Sequence, residues 1–202
     1  MWVLLSQSQD LYFFPEGYLR TSGSEFSIDL KNIDNAYVHL TNNAVQKNSK
    51  SYGQYEDGNQ LSFDSFQEYI NVHLNANVSV KDDLVPQMKQ IVIKTFNAVR
   101  KQLDPLRRQQ SFELFGYDFI LDEDFNLWLI EVNTNPCLEE SSKLLEMLLP
   151  RMVEDMMQIT IDTVFPQKSI QKKAKSSKPI AHPVPGYPDT DNMWQRLCNI
   201  DK

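Results

Sequence analysis

Ser111-Phe112-Glu113-Leu114-Phe115-Gly116-Tyr117-Asp118-Phe119-Ile120-Leu121-Asp122, then Glu123-Asp124-Phe125-Asn126, then Leu127-Trp128-Leu129-Ile130-Glu131-Val132-Asn133, is the stretch that decides how this chain folds. Two runs rich in aliphatic and aromatic side chains, divided by a polar tetrapeptide, read as an antiparallel hairpin. Pairing Asp122 with Leu127 across the turn sets Ile120 against Leu129, Asp118 against Glu131 and Gly116 against Asn133. Side chains alternate along a strand, so this register puts Asp118, Ile120, Leu129, Glu131 and Asn133 on one face. Two carboxylates facing each other at roughly 5 Å and an effective dielectric of about 20 repel by about 3 kcal/mol. A cation between them removes that cost. The donors are all oxygen, with no His or Cys in the hairpin, which is the ligand set of Mg²⁺. The alternative is an exposed hairpin whose acidic face is simply solvated. A four-residue turn also permits a register one residue off, which would break the pairing.

Composition narrows the classes. A chain of 202 residues, 41% hydrophobic, can bury one good core, and its length predicts one domain plus a tail. A net charge of -7 argues against nucleic acid as the main partner. Cys137 and Cys198 are too far apart for a metal-binding spacing or a disulfide framework, so a reducing compartment is the default. Met1-Trp2-Val3-Leu4-Leu5 is too short an apolar run for a signal peptide and lacks a basic lead-in, and no run reaches membrane-spanning length. A soluble intracellular protein with no membrane partner is the expectation.

Along the chain, Trp2–Leu5 and Leu11–Phe14 read as strands joined by a polar turn from Ser6 to Asp10. Phe14 to Thr21 carries Pro15 and Gly17 and reads as a loop presenting Arg20. Tyr37-Val38-His39-Leu40-Thr41-Asn42-Asn43 passes from apolar to polar and reads as a strand end entering a turn, with His39, Thr41 and Asn43 on one side. Asp64 is placed to cap a helix through Phe66, Tyr69, Ile70 and Leu74, and Asp82 or Asp83 to cap another with Leu84, Met88, Ile91, Thr95 and Val99 at helical spacing. A third helical region spans Ser141 to Val164, which Pro150 should kink or split. After Phe165-Pro166 come Lys168, Lys172, Lys173, Lys175 and Lys178, then Pro179, Pro183, Pro185 and Pro188. Residues 167–202 are predicted to form a basic, Pro-rich, disordered tail, with a final helical turn near Asp191–Leu197.

Three ordered motifs carry a family resemblance. Phe115-Gly116-Tyr117-Asp118-Phe119 with Trp128-Leu129-Ile130-Glu131-Val132-Asn133-Thr134-Asn135-Pro136 resembles the C-terminal strands of the tubulin tyrosine ligase-like family. His39-Leu40-Thr41-Asn42 with Tyr52-Gly53 is similar to a second family motif, and Glu16-Gly17-Tyr18-Leu19-Arg20-Thr21 to a third. The likeness runs from about Trp2 to Pro166. It implies an α+β fold, the C-terminal part of an ATP-grasp domain over residues 1–166, with an antiparallel sheet packed against helices.

The resemblance also implies an activity: ligation of tyrosine, glutamate or glycine to tubulin with ATP and Mg²⁺, through an acyl phosphate. Asp118, Glu131 and Asn133 match the family's Mg²⁺ ligands. Arg20 matches a catalytic basic residue beside the transferred phosphate, and His39, Thr41 and Asn42 match positions lining the nucleotide and acceptor site. Tubulin or microtubules are the implied partner, and the cytoplasm, the cytoskeleton and the cilium, axoneme or basal body the implied places. In the family a long region precedes the strand at Trp2 and supplies the N-terminal lobe with its phosphate-gripping lysines. The expectation is therefore a chain that carries only the Mg²⁺ and acyl-phosphate half of the site. The rival is a non-catalytic tubulin-binding module.

Overall fold

The computed structural model describes residues 1–103, 108, 110–166 and 182–201. The strands, in chain order, are β1 (Trp2–Leu5), β2 (Asp10–Phe13), β3 (Tyr18–Arg20), β4 (Gln60–Ser62), β5 (Glu113–Leu121), β6 (Leu127–Asn133) and β7 (Gln195–Asn199). The α-helices are α1 (Ala36–His39), α2 (Asn43–Gln46), α3 (Phe63–Tyr69), α4 (Val85–Leu103), α5 (Lys143–Ile159) and α6 (Ile161–Val164). Two compact units emerge: Met1–Glu16, Val78–Leu138 and the chain from Met147 onward form one, and Gly17–Asn77 with Glu139–Glu146 the other. The fold is α+β, as expected, with antiparallel pairing throughout.

The first unit is built on a five-stranded sheet of order β6-β5-β1-β2-β7. All four residues of β1 are buried, so this strand is covered on both faces. Val3 lies opposite Phe13 and Phe115, and this face receives α4 through Val85, Met88, Val92 and Phe96. The Phe96 ring meets Phe115 edge-on at 5.2 Å and lies stacked near Tyr117, whose hydroxyl shares a 2.8 Å hydrogen bond with Thr95. On the other face Trp2 packs edge-on against Phe14, and Phe14 against Trp194. The Trp194 indole donates to the Met152 carbonyl of α5, whose Leu148, Leu149, Met152 and Met156 are buried. Each fully buried side chain of this kind contributes about 1.5–3 kcal/mol relative to exposure.

Several boundaries differ from the sequence expectation. Ser79, not Asp82 or Asp83, starts the approach to α4: its hydroxyl accepts from the Asp82 N–H at the head of a π-helical turn over Val80–Leu84. The buried stripe of α4 is Val85, Met88, Val92 and Phe96, whereas Val99, an expected core position, is 40% exposed. Helix α5 runs through Pro150, and the break comes at Thr160 instead. The proline removes one helical hydrogen bond, to the Glu146 carbonyl, and the buried Leu148, Leu149 and Met152 around it hold the turn together.

Of the tail, residues 167–181, with the lysine cluster, lie outside the described residues. Residues 182–201 pack into the first unit. Gln195–Asn199 is a strand rather than a helical turn, pairing with β2 across a bulge between Leu11 and Tyr12. Beside the apolar contact of Trp194, a buried polar pair anchors it. Arg151 of α5, with no exposed side-chain surface, pairs with the equally buried Asp155 at 2.8 Å and donates to the Pro188 and Asp191 carbonyls. Asp155 also accepts from the Met193 N–H. At the sheet edge Asp10 accepts from Arg196, Asn199 and Ser8.

The second unit holds the short ladder of β3 and β4, in which Tyr18 faces Ser62 and Arg20 faces Gln60. The expected loop around Arg20 is thus a strand, because β4 supplies its missing partner. Ser62, rather than Asp64, caps α3 by accepting from the Ser65 N–H. The centre of this unit is a polar knot. Gln46, fully buried, donates to the Tyr37 and Leu40 carbonyls and accepts from Gly23 and Asn59.

Two outcomes test this packing. Asp155→Ala strands the Arg151 guanidinium in the interior, and urea denaturation should show a loss of about 3–5 kcal/mol. Burial raises the Asp10 pKa, but hydrogen bonds from Asn199, Arg196 and Ser8 outweigh it and hold the carboxyl below its ordinary value of 3.8. A carboxyl lowered in the folded state stabilises fully above its unfolded value and loses that contribution as pH falls through the folded one. Thermal scans should therefore show an acid limb below about pH 4 that is shallower in Asp10→Asn.

Candidate functional site

The β5–β6 hairpin brings Asp118 opposite Glu131 and Gly116 opposite Asn133, the pairing expected for the donor end. Toward the turn the register differs. Phe119 faces Leu129, Ile120 faces Trp128 and Leu121 faces Leu127. The one-residue slip at the turn is absorbed between Asp118 and Phe119, where β6 contains one residue more than β5 and Ile130 has no partner. Leu129 consequently sits across from Phe119, off the donor face, and Trp128 takes the place expected for it. That face carries Asp118, Ile120, Trp128, Glu131 and Asn133, with Ile120 56% and Trp128 60% exposed. It is the face opposite α4, since Tyr117, the neighbour of Asp118, turns its hydroxyl to Thr95.

The cause of the slip is local. Asp122 closes the turn rather than pairing with Leu127: its N–H donates to the Asn126 carbonyl, and Phe125 takes a left-handed conformation at φ 61°. The Asp122 carboxylate accepts from the Asp124 and Asn126 N–H groups and, at 2.9 Å, from the Trp128 indole. The Trp128 hydrogen bond, followed by those from Asn126 and Asp124, holds the Asp122 carboxyl below its usual range. This Asp122–Trp128 clamp was not assigned a role from sequence. Its signal is an Asp followed four residues later by Asn around a short turn, the pattern of a side chain that caps its own backbone.

Glu131 is exposed, and the Asn133 amide donates to its Oε1 at 3.1 Å. Two carboxylates and a carboxamide thus share an open face, all oxygen donors. Among the described residues no three His, Cys, Asp or Glu side chains converge as a metal-holding group, so a cation here would depend on Asn133 and on oxygens from outside the chain.

The other expected site residues lie in the second unit. Arg20 ends β3 opposite Gln60. His39 is the last residue of α1, not part of a strand end. Asn35 caps that turn by accepting from the Tyr37 N–H, and the Leu40 N–H closes it on Ala36. The His39 ring meets the Asn32 carbonyl at 3.0 Å through Nε2 and faces the Phe26 ring edge-on at 5.9 Å. Half-buried Thr41 and exposed Asn42 link α1 to α2, and the Asn42 carbonyl accepts from the Val45 and Gln46 N–H groups of α2. Among the described residues no helix is long and apolar enough to cross a membrane.

The chain is similar to several tubulin-modifying proteins. Tubulin glycylase 3E of Tetrahymena thermophila is 34% identical over 205 residues, covering 100% of this chain and 14% of its own length. The human protein monoglycylase TTLL8 is 34% identical over 169 residues, covering 80% of this chain and 19% of its own length. A probable alpha-tubulin polyglutamylase, Ttll1 of Tetrahymena thermophila, is 28% identical over 169 residues, with 83% of this chain and 39% of the relative covered. The chain thus spans less than a fifth of the glycylases it matches. The sequence profile of the tubulin-tyrosine ligase family matches residues 1–172, and the chain belongs to that family.

Proposed function

We propose that this chain carries the cation-binding part of an ATP-dependent ligase that joins an amino acid to a carboxylate of tubulin. The observation that supports it is the pairing of Asp118 with Glu131, with Asn133 beside them on an open face. The fit to Mg²⁺ is chemical: hard oxygen donors, two charges, and room for the phosphate oxygens and waters that this ion retains. When bound, Mg²⁺ supplies charge neutralisation and ATP the phosphoryl group that activates a carboxylate toward an amine. The residues do the holding. Asp118 and Glu131 provide the negative charge that fixes a divalent ion, and Asn133 a neutral oxygen that completes the set without adding repulsion.

The motif likeness assigns Arg20 to the negative charge of the phosphate and acyl phosphate, and His39, Thr41 and Asn42 to the nucleotide and acceptor. The names of the relatives favour glycine as the amino acid, with glutamate second. Tubulin as acceptor places the protein on the cytoskeleton.

Incorporation of labelled glycine, glutamate and tyrosine into tubulin, by the longest polypeptide containing this chain, tests the reading. Glycine incorporation that stops on chelating the divalent ion is expected; incorporation unaffected by chelation would sink it. In the same assay Glu131→Gln should keep the fold, since the side chain is exposed, and should cut ligation by roughly 10²-fold or more. Asp118→Asn combined with Glu131→Gln should cost little beyond either change alone, because the two disable one unit.

A further inference from the structure

Gly116 leaves an empty space that the chain after β6 fills. It pairs with Trp2 of β1 on one side and with Asn133 of β6 on the other. A Cβ at this position would lie 3.0 Å from the Cβ of Pro136 and 3.7 Å from that of Asn133. Carbon atoms pack at about 3.5–4.0 Å, so the second contact is ordinary and the first is not. After Asn133 the chain bends at Thr134 and Asn135 and seats the Pro136 ring over Gly116, on the face that carries Asp118. Asn133 is held between the two: its backbone is paired with Gly116, and the bend it leads into is pinned by Pro136. Its carboxamide nitrogen is engaged by Glu131 at 3.1 Å, which leaves Oδ1 as the atom it can offer to a ligand.

We infer that Gly116 and Pro136 are positioning residues that set the Asn133 carboxamide beside Asp118 and Glu131 for a hard divalent cation. This rests on the reading of those three residues as a cation site. Neither Gly116 nor Pro136 touches the ion; both act through Asn133. A side chain at Gly116 pushes Pro136 away by a few tenths of an ångström and carries the bend, and with it Asn133, out of place. A glycine needed only for packing would cost stability when replaced and leave the cation affinity of the folded protein unchanged.

Terbium(III), a hard oxygen-seeking ion excited through tryptophan, reads the site without turnover, and Trp128 stands on the same face. Luminescence titrations of the 202-residue chain, with thermal unfolding run alongside, give the terbium midpoint for each variant. Gly116→Ala is expected to raise that midpoint about tenfold, the usual size of an outer-sphere effect on a metal site. In a Pro136→Gly background the crowding Cβ is gone, and the same Gly116→Ala change should move the midpoint by less than about twofold. An unmoved midpoint in Gly116→Ala, or equal shifts in both backgrounds, overturns the positioning role. If Gly116→Ala does not fold, Pro136→Gly decides alone: it frees the bend and should weaken terbium binding by about tenfold, and unchanged binding overturns the role. Glu131→Gln separates the two claims. If it leaves the midpoint unmoved the cation site itself fails, whereas a shift in Glu131→Gln with none in Gly116→Ala rejects only the positioning.

Discussion

The acidic face depends on how β5 is shared between two neighbours. Its first half, Glu113–Gly116, is hydrogen-bonded to β1 in the middle of the sheet, and its second half, Gly116–Leu121, to β6 at the edge. Gly116 is where the two pairings overlap. The first half is held by the core: Phe115 is locked against Phe96, and β1 is buried on both faces. The second half, anchored by that rigid base, carries Asp118 and the exposed Ile120 beyond the reach of β1. A pair of like charges at about 5 Å is a liability in a packed interior and tolerable at an open edge.

The bulge at Ile130 reconciles two demands on the same hairpin. The turn, closed by Asp122 and its hydrogen bonds to Asn126 and Trp128, imposes one register. The donor end, where Gly116 meets Asn133, imposes another that differs by one residue. Without an extra residue in β6, one of the two would have to yield, and a slip at the donor end would turn Glu131 to the α4 side. Placing the bulge next to Asp118 keeps both, and it turns Trp128 onto the donor face in place of Leu129.

The two units are stabilised by different means. In the first, aromatic and aliphatic side chains fill both sides of a sheet, and the buried guanidinium of Arg151 is matched by Asp155 and backbone carbonyls. In the second, short helices and turns leave many backbone groups without regular partners. Gln46 and Asn59 act as surrogate backbone, satisfying Tyr37, Leu40, Thr21 and Gly53 from within. Such a network holds only when each member is satisfied, which ties the His39–Asn42 segment to the conformation of its neighbours.

The sequence by itself determined the alternation of β5 and β6, the facing of Asp118 and Glu131, the first two strands, the three helical regions that hold α3, α4 and α5, and the family. These follow from short-range periodicity and from motifs whose residues are neighbours in the chain. Only the tertiary structure decided the rest. Whether Leu129 or Trp128 shares the donor face depends on a bulge that balances the two ends of a hairpin. The strand at Gln195–Asn199 exists because β2 offers an edge and Arg151 a buried anchor, neither visible in a polar, Pro-rich stretch. His39 sits on a helical turn because Asn35 caps it and Gln46 donates to the Tyr37 and Leu40 carbonyls from further along the chain. The sequence pairs Gly116 with Asn133 but gives no reason for a glycine there; the Pro136 ring packed over it shows why a side chain would crowd the site. Contacts of this kind join residues that no period relates, so their energies appear only once the chain is folded.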